Sequence, residues 1–355
     1  MRKIKHRSGI IAVFLLCISM ALCSCGSTNV LTMNVAEPAP VDIGPNIKKV
    51  GIIDRSLPSK KNEALDKIDK ILSAEGKNLD KEGARESVTG LYDALKKNDR
   101  FTEVKIIEDT DIRSPGLGIF PAALSWQTVE QLCKVNRVDA VFVLSFYDTD
   151  TKVDYKTSTT QVANPLGIKI PALMHHATIN TLIKNGWRIY DPENRHILDE
   201  FPIYESMVLT GKGINPVTAI ETIAGRKEAV LQLSRDIGNA YALRLLPYSI
   251  RVSRDYYVKG TDNFKIAKRR AQTGDWDGAA ELWYREVSNP KRKIAGRAHY
   301  NMAIIHEING DLEAAVEWAS KAYTDYKDKR ALQYLNILKY RINSNRELHQ
   351  QMNSH

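Results

Sequence analysis

Residues 48–54 read Lys48-Lys49-Val50-Gly51-Ile52-Ile53-Asp54, and residues 138–146 read Val138-Asp139-Ala140-Val141-Phe142-Val143-Leu144-Ser145-Phe146. Each is a short apolar run opened by charge, the pattern of a buried strand. The stretch between them decides how they connect. Over Glu82–Asn98, Val88, Leu91, Tyr92 and Leu95 fall at i, i+3, i+4 and i+7, which predicts a helix. Val104–Ile107 predicts a second strand, and Ser114–Pro121, with two prolines and two glycines, a loop. Ser125 is placed to cap a helix over Trp126–Val135. Ala140–Phe146 is then the third strand. The order β-α-β-α-β predicts a mostly parallel sheet covered by helices.

Working outward, the pattern changes. Lys152–Tyr155, Ala177–Ile189 and Ile197–Leu209 alternate as half-buried strands do, with Asp191-Pro192-Glu193-Asn194 as a turn. They predict an antiparallel meander continuing the same sheet. Residues 157–190 offer no long alternating hairpin of the kind that crosses a bilayer. Pro216 opens one long helix to about Leu246, with Ile220, Ile223, Val230, Leu233 and Ile237 on its apolar face and Pro247 ending it. Residues 59–82 are highly charged and predict a loop and an exposed helix. The fold class is α+β: a mixed sheet packed with helices, followed by an all-α C-terminal part.

That C-terminal part repeats itself. Ala267, Gly274 and Ala279 recur as Ala303, Gly310 and Ala315, each 36 residues on. Small residues let two helices approach closely, and a glycine joins them at a tight turn. These positions resemble the tetratricopeptide repeat, whose small helix-A residue, turn glycine and small helix-B residue they match. Ala322 matches the later helix-B alanine, which is Val287 in the first copy. The family's first-helix tyrosine is replaced by Arg270 and His306, and the pitch is two residues longer than usual. The resemblance implies stacked helical hairpins with a groove for a peptide or protein terminus. Ala331–Arg341 is expected to form a solvating end helix.

The amino terminus is an address. Arg2, Lys3, Lys5 and Arg7 precede an apolar run from Ile10 to Leu22, as in a secretory signal. Leu22-Cys23-Ser24-Cys25 resembles the bacterial lipobox, which implies cleavage before Cys25 and acylation of its sulfur. Gly26 after that cysteine, by resemblance to enterobacterial sorting, implies retention at the outer membrane, facing the periplasm. The expected organisation is a signal peptide at 1–24, a lipidated tether at 25–46, an α/β domain at 47–247, helical repeats at 248–345 and a disordered tail at 346–355. A short edge strand at Val35 or Val41–Ile43 is compatible with the tether.

The larger domain, from Val50–Ile53 through Asp99–Val104 to Val138–Val143, resembles the amino-terminal domain of the Tol-Pal translocation protein and the curli-secretion lipoproteins. The whole arrangement, from the signal cysteine through Gly186-Trp187-Arg188-Ile189-Tyr190-Asp191-Pro192 to the repeats, is similar to a family of Gram-negative lipoproteins without an assigned activity.

Charge narrows the partners. The chain has 355 residues and a formal charge of +9, and 43% hydrophobic residues exclude wholesale disorder. Four of those charges leave with the signal. Residues 25–247 hold 28 basic and 29 acidic side chains, and residues 301–355 hold seven of each, so the excess of six sits in residues 248–300. There Lys268, Arg269, Arg270, Lys291, Arg292 and Lys293 form a candidate basic partner face. In the periplasm such a face suits an acidic protein or anionic lipid, and nucleic acid is not an expected partner.

No catalytic, metal or cofactor motif emerges. His175 and His176 are adjacent and point oppositely on a strand. His299 and His306 lack a third ligand at zinc spacing. There is no nucleophile elbow or phosphate-binding loop. Gly211-Lys212-Gly213 reads as a loop before a helix. Asp148, Asp150 and Asp154 share a face if their strand continues. Cys133, the one thiol left in an acylated mature chain, reads as buried and inert. The expectation is a non-enzymatic, outer-membrane-anchored periplasmic lipoprotein that binds an envelope protein or peptide through its repeats. The alternatives are self-assembly through the α/β domain into an envelope or secretion complex, and a hydrolase or ligand-binding protein using the Asp148–Asp154 face.

Overall fold

The computed structural model describes residues 27–56, 79–108, 112, 118–163, 167–223 and 225–353. The expected signal, Cys25 and most of the charged segment 59–82 lie outside them. The protein is a mixed α+β molecule with two sheets and a C-terminal set of helices. It divides into two compact units: a sheet unit over Ala39–Pro247 with the last residues from Gln351, and a helical unit over residues 27–38 with Tyr248–Gln350.

In the sheet unit, β2 (Lys49–Asp54), β3 (Glu103–Ile106), β4 (Ala140–Ala163), β5 (Lys169–Asp191) and β6 (His196–Gly213) form one sheet in the order β3-β2-β4-β5-β6. β2 pairs in parallel with β3 and with Ala140–Leu144 of β4, while β4, β5 and β6 run antiparallel. On one face, α1 (Leu79–Lys96) and α4 (Arg226–Ala242) cover Val50, Ile52, Phe142, Leu144, Trp187 and Ile189. On the other, α2 (Trp126–Asn136) covers Ile53, Val141, Val143 and Tyr190. The continuous apolar run of β4 is thus explained by burial on both faces. Ser125 caps α2, its side chain accepting from the Thr128 N–H. Val135, near the end of α2, is exposed.

α1 and α4 cross where both carry glycine. A Cβ on Gly90 would lie 2.0 Å from the Arg235 carbonyl oxygen, and one on Gly238 would lie 1.9 Å from that of Ser87. Such contacts exclude any side chain there. At the base of the sheet Trp187 stacks on Tyr241 with centroids 5.3 Å apart. The Tyr241 hydroxyl donates to Asp199, which also receives Arg244.

Several expectations are corrected. The single helix from Pro216 to Leu246 is two helices, α3 (Pro216–Glu221) and α4, because Gly225 takes a left-handed φ of 73° that a helix cannot continue. The meander strands are far longer than expected. β4 and β5 pair without interruption from Phe146↔Gly186 to Ala163↔Lys169. The outer half of this pairing escaped the alternation test because Thr157–Gln161 is polar, yet Thr, Ser and Gln pair readily through the backbone. Gly211 and Gly213 belong to β6, not to a loop, and their missing side chains admit α3: a Cβ on either would strike the Ala219 backbone at 2.1 and 2.4 Å.

In the helical unit, residues expected as tether form β1 (Thr28–Glu37), paired over its full length with β7 (Tyr248–Tyr257). Backbone pairing with a partner 220 residues away holds this stretch, and Leu31 and Val35 are buried beneath it. Helices α5 (Asp262–Gln272), α6 (Trp276–Tyr284), α7 (Arg292–Ile308), α8 (Leu312–Thr324) and α9 (Lys329–Asn353) follow. The expected disordered tail is the end of α9. Its Gln351 is buried, which a solvated tail would not allow. Ala331, Tyr334, Leu335 and Leu338 are buried too, so α9 packs instead of merely solvating an end. No helix of the described residues is long and apolar enough to cross a membrane.

Gly238→Val is expected to lower the thermal midpoint of the sheet unit clearly, because overpacking costs about 1–3 kcal/mol and here the obstacle is backbone. Near-ultraviolet circular dichroism reads the change. A midpoint equal to that of the parent chain would contradict the close crossing of α1 and α4.

Candidate functional site

The sheet carries Asp148, Asp150 and Asp154 on one face, since β4 continues through all three. β5 brings Lys184 directly opposite Asp148. Lys184 Nζ bonds Asp148 at 3.1 Å and also pairs with Asp150, while Asp154 accepts from Asn180. Burial raises the Asp148 pKa despite Lys184, and the two aspartates raise that of Lys184 despite its partial burial. The result is an acid–lysine cluster in which one ammonium is shared by two carboxylates. Nearby, Arg188 is buried, donating to Glu200 at 2.5 Å and to the Pro121 carbonyl at 2.7 Å, with its guanidinium over the Phe120 ring. It pins the 118–125 segment to the sheet.

The histidines do not converge. His175 and His176 stand on opposite faces of β5, and His176 bonds Ser158. His299 and His306 both pack on Trp318, and His299 Nδ1 lies 2.9 Å from the Ala295 carbonyl. Among the described residues no three His, Cys, Asp or Glu side chains group to hold a metal. Cys133 is buried on α2; burial, with Asp139 and Asp191 nearby, pushes its thiol up to about 12. α3, preceded by Gly211-Lys212-Gly213, has six residues, and Asn215 already caps it.

In the helical unit the repeat residues do the packing. Ala267, Ala279, Ala303, Ala315 and Ala322 are fully buried, and Gly274 and Gly310 adopt φ of 85° and 82° in the turns between paired helices. Asp275 and Asp311 cap the second helix of each pair. The inner face of α7 is not open, however. Asn301 grips the backbone of Tyr257 in β7, accepting from its N–H and donating to its carbonyl at 2.7 Å each. Glu307 is buried one and a half turns on and accepts from Arg254 of β7 (2.8 Å), Arg341 (2.7 Å) and Tyr334 (2.6 Å). Burial alone would raise the Glu307 pKa, but these donors outweigh it and hold the carboxyl below the usual glutamate range. The chain's own ribbon therefore occupies the α7 face that the repeat resemblance offers to a partner.

The basic residues divide. Lys268, Arg269 and Arg270 lie on α5, where Arg270 donates to the Gly278 carbonyl. Lys291, Arg292 and Lys293 open α7, where Arg292 bonds the Asp325 carbonyl and stacks over Tyr326. Lys293 alone of the six enters a cleft of about 370 Å³, with Arg297, Lys327, Lys329, Arg330 and Ser27 among its walls. Sequence reasoning passed over Lys327-Asp328-Lys329-Arg330 because the 301–355 window balances overall. A four-residue window would have found it.

The family model described as Domain of unknown function (DUF8603) matches residues 47–257. The chain belongs to that family. Its match begins just before β2 and ends with the last residue of β7. A second model, Domain of unknown function (DUF6340), matches residues 265–340, the repeat helices. No curated protein matches the chain. Among solved structures it is similar to the PelC dodecamer from Paraburkholderia phytofirmans, at 10% identity and a TM-score of 0.23, over 61% of this chain and 98% of that one. A point variant of the same dodecamer aligns at 8% identity and a TM-score of 0.23.

Glu307→Gln is expected to cost about 3–5 kcal/mol, because it strips the counter-charge from two arginines held in the interior. The pH dependence has a definite sign. A carboxyl held low in the folded state contributes its full stability above the ordinary glutamate pKa and loses it as pH falls through the lowered value. The parent chain should therefore lose stability on acidification and Glu307→Gln should lose less. Parallel slopes would contradict the network. Cys133 should react slowly with a thiol reagent at pH 8 in the native chain and rapidly once unfolded; equal rates would contradict its burial.

Proposed function

We propose that this chain is a non-enzymatic, lipid-anchored envelope protein, held at the outer membrane through Cys25 and facing the periplasm, that assembles with copies of itself through its sheet. The observation that carries this reading is a pair of open edges. Beyond Leu144 no described strand pairs with the outer edge of β4, and none pairs with the outer edge of β6. At the same levels of the sheet, among the described residues, no strand lies on the outer edge of Phe146–Thr157 of β4 or of Pro202–Thr210 of β6, while Lys212 at the end of β6 bonds Thr222 through both its N–H and its carbonyl. Long open edges are templates for another strand. Tyr155, Tyr204 and Val208 stand exposed along them.

The two edges belong to opposite sides of one sheet, so edge-to-edge contact joins unlike surfaces. Such head-to-tail contacts close into rings when the rotation permits. The repeat helices then serve as support, because β7 already fills the α7 face, while an envelope protein could still dock on their outer surface. The lipobox resemblance at Leu22–Cys25 and the neutral charge of the sheet unit agree with a membrane-tethered, self-associating role.

Light scattering of the lipidated chain in detergent is expected to give a mass several times that of one chain. Replacing Tyr204 and Val208 together by lysine should return a folded monomer, since charge on an edge strand opposes pairing. A parent chain that runs as a monomer would sink the reading.

A further inference from the structure

The cleft at the start of α7 asks for a ligand. Five cationic side chains line it, Lys293, Arg297, Lys327, Lys329 and Arg330, against one carboxylate, Asp328. That carboxylate is engaged, accepting from the Tyr257 hydroxyl and the Arg330 N–H. Two of the cations are engaged as well: Arg297 bonds the Lys259 carbonyl and lies over the Tyr257 ring, and Arg330 pairs with Asp255. Among the described residues, the ammonium groups of Lys293, Lys327 and Lys329 have no hydrogen-bond or ion-pair partner.

The backbone is shaped to hold them there. Lys327 adopts a φ of 61° and its N–H closes on the Tyr323 carbonyl, the left-handed helix end that glycine ordinarily fills. A lysine held there points to a use beyond turning the chain. Gly296 permits the turn to lie against α7, since a Cβ there would come 2.7 Å from the Tyr326 Cβ. α7 begins at the cleft with no side chain capping its first N–H groups, which adds partial positive charge.

Ser27 is part of the cleft wall. Cys25 precedes it by two residues, and two residues of chain span at most about 7 Å. The acyl chains proposed for Cys25 would bring lipid headgroups to this opening.

We infer that this cleft binds the phosphate of an anionic phospholipid headgroup in the leaflet that holds the anchor, fixing the orientation of the helical unit at the membrane. The inference rests on the proposed acylation of Cys25. The shared chemistry is a phosphate anion, and the lipid, rather than free phosphate, is the source argued here.

The test uses the full mature chain carrying Cys25→Ser, so that no acyl chain contributes, and vesicles of phosphatidylcholine with or without phosphatidylglycerol. Co-sedimentation is expected only with phosphatidylglycerol. The double variant Lys293→Glu and Lys327→Gly, in which glycine also relaxes the turn, should bind at least about tenfold more weakly, since each cation near an anionic surface is worth roughly fivefold. A control with the same charge change, Lys268→Glu and Arg269→Gln on α5, should bind within about threefold of the parent. Equal loss in both variants would overturn the cleft, leaving only diffuse charge. Inorganic phosphate stabilising the chain at low millimolar concentration, with no vesicle binding, would overturn the lipid assignment. Mass spectrometry of the native chain reports acylation of Cys25 separately, so the two readings fail independently.

Discussion

Strand β4 is the seam on which the sheet unit depends. Its first five residues pair in parallel with β2 on one side, and from Val141 onward it pairs antiparallel with β5 on the other. The parallel half is buried by helices on both faces, so its sequence is uninterrupted apolar residues. Past Leu144 the neighbour on one side is gone, and the strand continues with Asp148, Asp150 and Asp154 on one face and Tyr147, Thr149 and Thr151 on the other. Alternate N–H and C=O groups of an antiparallel strand point away from its partner, so this half of β4 carries a row of outward backbone groups that no strand of the described residues pairs. The same is true of β6 as far as Thr210; at Lys212 the N–H and carbonyl bond Thr222. On the face beside that row Lys184 offsets one of the two charges of Asp148 and Asp150, and the glycines at 211 and 213 close the far end of β6 under α3.

The helical unit depends on a different constraint, the burial of Glu307. One carboxylate in the interior is costly unless it is saturated with donors. Arg254, Arg341 and Tyr334 saturate it, and in doing so they tie β7 to α7 and α9. With Asn301 on the Tyr257 backbone, this makes the ribbon an integral part of the repeat stack. A repeat pair is short for an independent array; the β1–β7 ribbon supplies the burial that further repeats would otherwise provide.

The sheet core and the helical hairpins were legible because their signals are local. Val50–Ile53 and Ala140–Leu144 announce buried strands by composition, and Gly274 and Gly310 mark turns because no other residue takes their φ cheaply. What escaped has nonlocal causes. β1 and β7 alternate over Leu31–Val35 and Tyr248–Ser253, but each pairs only with the other, across the chain. The hairpin beyond Thr157 is held by backbone pairing, which leaves no hydrophobic pattern. The break at Gly225 hides inside a run whose apolar spacing suits a continuous helix. The basic cleft joins residues near 27, 293 and 327–330, and windows that average over fifty residues cancel its charge.

The proposed self-assembly through the sheet, with the helical unit braced from within, would account for the open edges, the exposed side chains along them and the β7 ribbon packed on α7 together. Hydrogen exchange on the lipidated chain in detergent, followed residue by residue along β4 and β6, tests this most directly. The account predicts that amides over Asp148–Lys156 and Tyr204–Thr210, including those pointing away from β5, are protected in the parent chain and exposed in the Tyr204→Lys, Val208→Lys chain. Equally fast exchange of the outward amides in both would contradict it.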